Sequence, residues 1–268
     1  MSSINLIIAL KNLTRYRRRL YEGVMLDVRQ QYTGSVLGAF WVFLFPLLQL
    51  SIFAILYAVV FKVQPPGLTE WGYVVLVFSG LVPLLAFTAM ITASTGSLTT
   101  SKSLLLNTVF PAELIPLRSA LAAHVPSLAG LFITLVLGFI LGRTSWQALL
   151  LVPVFWLLLI MFAIGLGWIL SLFSLIAKDI QHGIGLILML MMILSPFAYT
   201  PDMVPSALNF IIYLNPLSYF VLSFQQLIAY GAWPDFVPAM GAAILGIGSL
   251  LLGYAVFLKA QFTFFDYA

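Results

Sequence analysis

The sequence predicts an all-α integral membrane protein: six transmembrane helices, preceded by an amphipathic helix at the membrane interface, with re-entrant short helices between spans five and six. Of its 268 residues, 62% are hydrophobic and 7% are charged, whereas soluble domains carry roughly 25% charged residues. Seven long runs lack Asp, Glu, Lys and Arg, and a helix needs about 20 apolar residues to cross a bilayer. Lysine and arginine concentrate on alternate connectors, as expected for cytoplasmic loops.

The N-terminal segment, residues 1–33, is predicted to lie on the cytoplasmic side of the membrane. It holds the basic cluster RYRRR (15–19). Its apolar side chains recur at helical spacing, namely Leu13, Tyr16, Leu20, Val24 and Val28. This pattern indicates a helix along the inner interface. The arginines serve either as a topology anchor alone or as ligands for lipid phosphates. The residues considered for phosphate binding are Arg18, Arg29 and, on a later inner connector, Arg118.

The distribution of charged residues predicts the spans and the topology of the rest of the chain. The predicted spans are about 35–61, 71–97, 117–141, 146–176, 182–200 and 237–259. Of the 12 lysines and arginines, only Lys62 and Arg143 then fall outside, so both termini are expected in the cytoplasm. No internal repeat is evident, and residues 1–268 are predicted to form a single membrane domain.

The run between Asp202 and Asp235 is the exception, because no lysine or arginine flanks it. It contains helix-breaking and polar residues, namely Pro205, Asn209, Asn215 and Pro216. A full crossing here would leave Lys259 outside. Broken backbone at membrane depth is tolerated where protein or a water-filled cavity lines it. Residues 202–234 are therefore predicted to form a re-entrant gate.

Several function classes are disfavoured by what the sequence lacks. It has no cysteine, hence no disulfide and no thiolate metal ligand. No Gly-Lys pair occurs, so the chain has no P-loop for ATP. His124 is the only titratable candidate in the interior of the spans, which disfavours ion-coupled transport. Neither a catalytic cluster nor a metal site is visible, which disfavours a membrane enzyme. Any transport work must then draw its energy from a partner.

Aromatic residues make up 15% of the chain. Trp71, Tyr73 and Trp146 fall at predicted interfaces and are interpreted as belt residues. A second group lies at the outer ends of spans one and five, namely Phe53, Tyr57, Phe197 and Tyr199. These rings either pack against the protein and lipid or line a conduit whose flat apolar faces stack on sugar rings.

Four stretches, in order, resemble one family. They are QQYTGSVLGAFWVFLFPLLQL (30–50), LLLNTVFPAELIPL (104–117), SLIAKDIQHGIGLIL (174–188) and LNPLSYFVLSFQQLIAYG (214–231). Together they are similar to the ABC-2 type exporter permeases, above all to those that export polysaccharides of the O-antigen and teichoic-acid type. Two positions depart from the family pattern: Lys178 stands where arginine is more usual, and Gln225 stands where arginine or a carboxylate is frequent.

The resemblance implies the permease subunit of an ATP-driven exporter in a bacterial cytoplasmic (inner) membrane. Its cargo would be a lipid-linked polysaccharide, such as an O-antigen-like glycan on undecaprenyl pyrophosphate. The subunit would be non-catalytic and homodimeric and would pair with two copies of an ATPase that holds ATP and Mg²⁺. This chain would itself bind no cofactor and no nucleic acid. An ABC-2 permease for a small hydrophobic drug or lipid is the alternative, and a membrane enzyme or scaffold ranks third.

The resemblance also implies two sets of site residues. A coupling helix that docks on the ATPase, with the later inner connector, would include Asn107, Thr108, Phe110, Pro111, Glu113, Leu114, Lys178 and Asp179. An outer gate would include Asn215, Pro216, Tyr219 and Gln225. Within the coupling helix, Pro111 is expected in the first turn, Glu113 at the positive end and Pro116 at the stop.

Overall fold

The computed structural model describes residues 2–62, 67–101 and 111–265, and all regular structure in these ranges is helical. The helices are α1 (Ser2–Tyr32), α2 (Trp41–Ala54), α3 (Glu70–Thr100), α4 (Leu114–Ala123), α5 (Val125–Ile140), α6 (Gln147–Ile176), α7 (Asp179–Leu194), α8 (Asn209–Leu214), α9 (Pro216–Ile228) and α10 (Phe236–Phe265). A 3-10 turn (Gly38–Phe40) leads into α2, and a π-helical turn (Ile55–Val60) follows it. The predicted all-α membrane class is confirmed.

Five helical segments are long and apolar enough to cross a membrane. They are Gly38–Tyr57, Glu70–Thr100, Leu114–Ile140, Gln147–Ile176 and Phe236–Ala260. The predicted fifth span corresponds to α7, which is apolar but has only 16 residues. At a rise of 1.5 Å per residue it is about 24 Å long, shorter than the roughly 30 Å of a bilayer core. The count of six spans stays a prediction.

Helix α1 matches the amphipathic pattern in the sequence. Leu20 and Val24 are buried, and Tyr16 and Val28 pack against the core. The side chain of Leu13 lies outside the described residues. Because the buried positions recur every four residues, one face of α1 lies on the protein while its arginines remain on the other.

Helix α3 is the centre of the protein. It is buried along most of its length and packs against α4, α5, α6, α7 and α9. Pro83 is accommodated inside it. With α2, these helices surround α3, so a displacement of α3 reaches most of the bundle directly.

Helices α6 and α10 pack with their backbones nearly touching, because glycine leaves room on both sides. A Cβ atom on Gly165 would lie 2.2 Å from the carbonyl oxygen of Ser249, and one on Gly253 would lie 2.1 Å from the carbonyl oxygen of Gly165. The Ser249 hydroxyl donates to the carbonyl of Phe162 at 3.0 Å. Small residues and interhelical hydrogen bonds of this kind hold membrane helices together.

The third span corrects two expectations. Pro116 does not end a short helix; it lies buried in the first turn of α4, which leads into α5 after an interruption at His124. Proline is accommodated there because the first turn of a helix has no intrahelical partner for its N–H groups. Pro111 precedes α4 instead of opening a helix, and its carbonyl accepts from the backbone N–H of Leu114 at 3.0 Å.

The segment 202–234 contains short helices, as its prolines and asparagines suggested. Two 3-10 turns, Pro201–Met203 and Ser206–Leu208, lead into α8, and the backbone breaks again at Asn215 before α9 begins. Helix α9 is largely buried against α3, α6 and α10. That the segment re-enters the membrane stays a prediction.

Candidate coupling and gating surfaces

The start of the third span is tied to α1 by an ion pair. The Nε of Arg118 donates to one oxygen of Asp27 at 2.7 Å, and its Nη2 donates to the other. Both side chains are mostly buried, with 18% and 26% of their surface exposed. Gly23 makes room for this contact, since a Cβ there would lie 2.9 Å from Arg118 Cδ. The bidentate geometry fixes the position of α1 against α4.

The three predicted phosphate ligands differ in their surroundings. Arg118 is paired with Asp27, so its geometry favours a structural role. Arg18 pairs with Glu22 at 2.9 Å on the exposed face of α1. Arg29 is exposed at the end of α1 and makes no ion pair with the described residues. Of the three, Arg29 keeps the freest positive charge at the membrane surface.

The predicted coupling connector is described only at its end. Asn107, Thr108 and Phe110 lie outside the described residues. Glu113 stands at the N-cap position of α4, where a carboxylate favours the positive end of the helix. It is buried, with 8% of its surface exposed, and its carbonyl accepts from the indole N–H of Trp168 at 2.8 Å. Glu113 therefore holds α4 to α6.

Leu114 extends the same contact, because it is 2% exposed and belongs to the core. Glu113 and Leu114 can influence a docked partner through the position of α4. A direct contact with a partner would have to come from the connector before them.

The second inner connector begins α7. Lys178 lies at its N-cap position and Asp179 in its first turn, where the acidic side chain suits the helix dipole. The amide of Gln181 donates to the hydroxyl of Thr99 at 2.9 Å, which joins the start of α7 to the end of α3. The contact places this inner connector beside the inner end of the central helix.

Asn215 organises the predicted outer gate. Its side-chain oxygen accepts from the backbone N–H of Leu217 at 3.1 Å, which caps α9. Its amide nitrogen donates to the carbonyl of Met191 at 2.7 Å and to the hydroxyl of Ser195 at 2.9 Å. With Pro216 at the first helical position, the cap both starts α9 and ties it to the end of α7.

Gln225 makes the second tie in this region. It is 2% exposed, and its amide nitrogen donates to the carbonyls of Pro196 at 2.9 Å and of Phe197 at 3.3 Å. Gly80 of α3 allows the same stretch to approach, because a Cβ there would lie 2.9 Å from Phe197 Cα. A neutral amide satisfies two buried carbonyls without placing a charge in the membrane. Gln225 is suited to holding the segment after α7 in place.

Tyr219 connects α9 to α8 and to α10. Its hydroxyl donates to the carbonyl of Tyr213 in α8 at 2.9 Å. Its ring lies against α10, where a Cβ on Gly241 would come within 2.2 Å of it. Three of the four predicted gate residues, Asn215, Tyr219 and Gln225, therefore each bridge two elements.

The loop after α9 is anchored as well. The hydroxyl of Ser145 and the amide of Gln147 both donate to the carbonyl of Gly231, at 2.8 and 2.7 Å. Burial raises the pKa of the neighbouring Tyr230, and the negative charge of Asp202 raises it further. The phenol is therefore neutral at physiological pH.

Three of the four predicted conduit aromatics come together. The rings of Phe53 and Tyr57 lie 6.3 Å apart and nearly parallel, and that of Phe197 meets both edge to face at 6.0 and 6.2 Å. Tyr199 is absent from this cluster as described; its hydroxyl donates to the carbonyl of Leu194 at 2.8 Å. The cluster joins the outer end of span one to the stretch after α7.

Tyr73 corrects the belt interpretation. Trp71 and Trp146 are exposed, as expected for belt residues, but Tyr73 is completely buried. Its hydroxyl donates to the carbonyl of Ala198 at 2.7 Å, and its ring contacts that of Tyr57. A tyrosine near the end of a span faces either lipid or protein, and only the tertiary structure decides which.

Asp27, Gly23 and Trp168 were not predicted as site residues. Asp27 offered one signal, since it is an acidic residue close to a basic cluster on the same side of the membrane as Arg118. Gly23 and Trp168 offered none, because each matters only through a residue distant in the sequence.

Comparison with known proteins defines the class. The sequence profile of the ABC-2 type transporter family matches residues 24–228. The chain belongs to this family.

Several curated relatives are similar over almost the whole chain. A Klebsiella pneumoniae protein described as "O-antigen export system permease protein RfbA" is 28% identical over 240 residues, which cover 89% of this chain and 90% of that protein. A Myxococcus xanthus protein with the same description is 26% identical over 249 residues, or 92% and 94% of the two chains. A second Klebsiella pneumoniae protein of this description is 28% identical over 242 residues.

Proposed function

We propose that this chain is the transmembrane subunit of an ATP-driven exporter that moves a lipid-linked polysaccharide, an O-antigen-like glycan, across the bacterial cytoplasmic membrane. One observation carries the proposal: the similarity to permeases described as O-antigen exporters extends over about nine-tenths of the chain. The charge-poor interior supports it, since a sugar polymer needs hydroxyl, amide and aromatic surfaces rather than ion-coupling carboxylates.

The proposal includes a homodimer of this chain and two copies of an ABC ATPase. The chain lacks a P-loop, so ATP and Mg²⁺ would be held by the ATPase. The connector 102–113 and the start of α7 would be the docking surface. Both adjoin the inner end of the bundle, where the lysines and arginines concentrate.

The contacts suggest how a push at the inner face would reach the outer end. Movement of the connector would displace α4, which is bonded to α1 through Arg118 and to α6 through the carbonyl of Glu113. Helix α3, packed against α4, carries Tyr73 and Gly80 at its outer end. These two residues touch the stretch that Gln225 holds. In this proposal the gate opens when α3 and that stretch separate.

Deletion of the chain from its host tests the proposed cargo. We expect the surface polysaccharide to disappear and the lipid-linked glycan to accumulate in the cytoplasmic leaflet, both restored by a plasmid-borne copy. Immunoblots of whole cells and of extracted lipid-linked glycan measure the two pools. A normal glycan coat, with greater sensitivity to hydrophobic drugs, would favour the drug or lipid permease instead.

A further inference from the structure

A groove opens on the inner half of the bundle, between the end of α1, α2, α3 and the third span. Its volume is about 820 Å³. Its lining runs from Gln31 to Leu50 on the chain's first span, from Val82 to Ala93 on α3, and from Ala123 to Gly130 on the third span. On the predicted topology, the groove extends from the cytoplasmic end of the first span to the middle of the bundle. The groove is separate from the aromatic cluster at the outer end of span one.

The polar groups in this groove are neutral. Apart from the phenol of Tyr32, no lining residue carries an ionisable side chain. The lining includes two carboxamides, four aliphatic hydroxyls and three aromatic residues, notably Gln49, Thr92, Ser127 and Trp41. Trp41 is held by a hydrogen bond from its indole N–H to the hydroxyl of Ser35 at 2.9 Å. Because no lining residue carries a positive charge, the groove is poorly suited to binding a phosphate.

Several of these polar groups have unmet hydrogen-bonding capacity. Among the described residues, the side chains of Gln49, Thr92 and Ser127 find no hydrogen-bond partner. Gln49 lies half-buried in the middle of the first span. An unpaired amide at this depth costs free energy in lipid, because hydrocarbon offers neither donors nor acceptors.

We propose that this groove binds uncharged sugar residues of the exported glycan before they enter the transport path; the inference rests on the proposed function. A sugar hydroxyl both donates and accepts, which suits carboxamide and hydroxyl partners. A lipid acyl chain would leave those partners unpaired. The volume lies within the range of roughly 300–1,000 Å³ typical of ligand pockets. The groove therefore recognises a neutral saccharide by hydrogen bonds and aromatic contact.

Cysteine protection tests the inference, because the chain has no cysteine of its own. Thr92→Cys and Ser127→Cys each introduce one thiol into the groove. Leu190→Cys, on the exposed face of α7, serves as a control outside the groove. Each variant is assembled with the ATPase in vesicles and labelled with a maleimide. The probes are the host's lipid-linked glycan and undecaprenyl phosphate without sugar.

We expect the glycan-lipid to slow labelling at both groove positions, and to leave Leu190→Cys unchanged. At a concentration about ten times its Kd, protection should be about tenfold. Equal protection by the sugar-free lipid would overturn the inference in favour of a lipid groove. Absence of protection would overturn it too, as would disulfide cross-links between two copies of Thr92→Cys, which would make the groove a subunit interface.

The unmodified complex separates this inference from the proposed function. If it exports the glycan while the groove thiols stay unprotected, the groove assignment fails and the proposed function stands. If the unmodified complex moves no glycan, the proposed function itself fails.

Discussion

At the scale of single residues, the polar side chains of this protein work mainly as ties between helices. Asp27 and Arg118 join α1 to α4, and Asn215 joins α9 to α7. Each tie satisfies backbone or charged groups that are buried or partly buried. In a chain with 7% charged residues, a partly buried ion pair marks a contact that must keep its geometry.

The Asp27–Arg118 pair yields a prediction for stability. Asp27→Asn or Arg118→Gln should each cost about 1–3 kcal/mol, since each removes a charged hydrogen bond and leaves a partner unsatisfied. The double substitution should cost less than the sum of the two single ones. Chemical denaturation of the protein in detergent micelles measures all three.

Arg18→Gln is the matched control, because its pair with Glu22 is exposed and should contribute about 0–1 kcal/mol. Strict additivity of the Asp27 and Arg118 substitutions would show that the two side chains do not interact. An Arg18→Gln variant as unstable as the Arg118 variant would also argue against a specific contribution from the Asp27–Arg118 pair.

At the scale of elements, the approximate positions of the long apolar helices followed from local composition, and their contacts did not. Charge-free runs located the long apolar helices because the bilayer imposes a length and a composition on every span. The role of Pro116 could not be derived in this way. Proline is compatible both with the first turn of a helix and with the residues after its end. In this structure Pro116 lies in the first turn of α4.

The candidate site was predicted only in part for the same reason: the partner of each side chain is set by the tertiary structure. The sequence pointed to this segment through its breaks in helical pattern, and the structure shows Asn215, Tyr219 and Gln225 each bonded to another element. Tyr73 was predicted to be a belt residue because a tyrosine near the end of a span can face either lipid or protein, and the sequence does not distinguish the two. Its true partner, Ala198, lies 125 residues further along the chain.

The close contact of α6 with α10 yields a second prediction. Gly165→Leu should destabilise the protein by about 1–3 kcal/mol or more, because a side chain there would meet the backbone at Ser249. Thermal unfolding of the purified protein measures the loss. Gly248→Leu, on the same helix as Ser249 but facing open space, should be tolerated. Equal melting temperatures for the two variants would rule out the close packing.

At the scale of the whole molecule, the contacts of the described residues form a continuous path from the start of α4 to the predicted outer gate. It passes from α4 to α3 and then to the stretch held by Gln225. In the proposed function, an ABC ATPase drives movement along this path, since the sequence contains no P-loop motif. The central claim is therefore that this chain transports a lipid-linked glycan when an ATPase acts on it.

Reconstitution of the transporter in lipid vesicles tests this claim most directly. The chain and its ATPase are placed in vesicles that carry the host's lipid-linked glycan in the outer leaflet, with the ATPase facing outward. A glycosidase in the external medium reports how much glycan remains accessible. We predict that ATP and Mg²⁺ make the glycan inaccessible with time, and that a hydrolysis-deficient ATPase abolishes the effect. Accessibility that stays constant with the active ATPase, in vesicles where that ATPase hydrolyses ATP, would contradict the account.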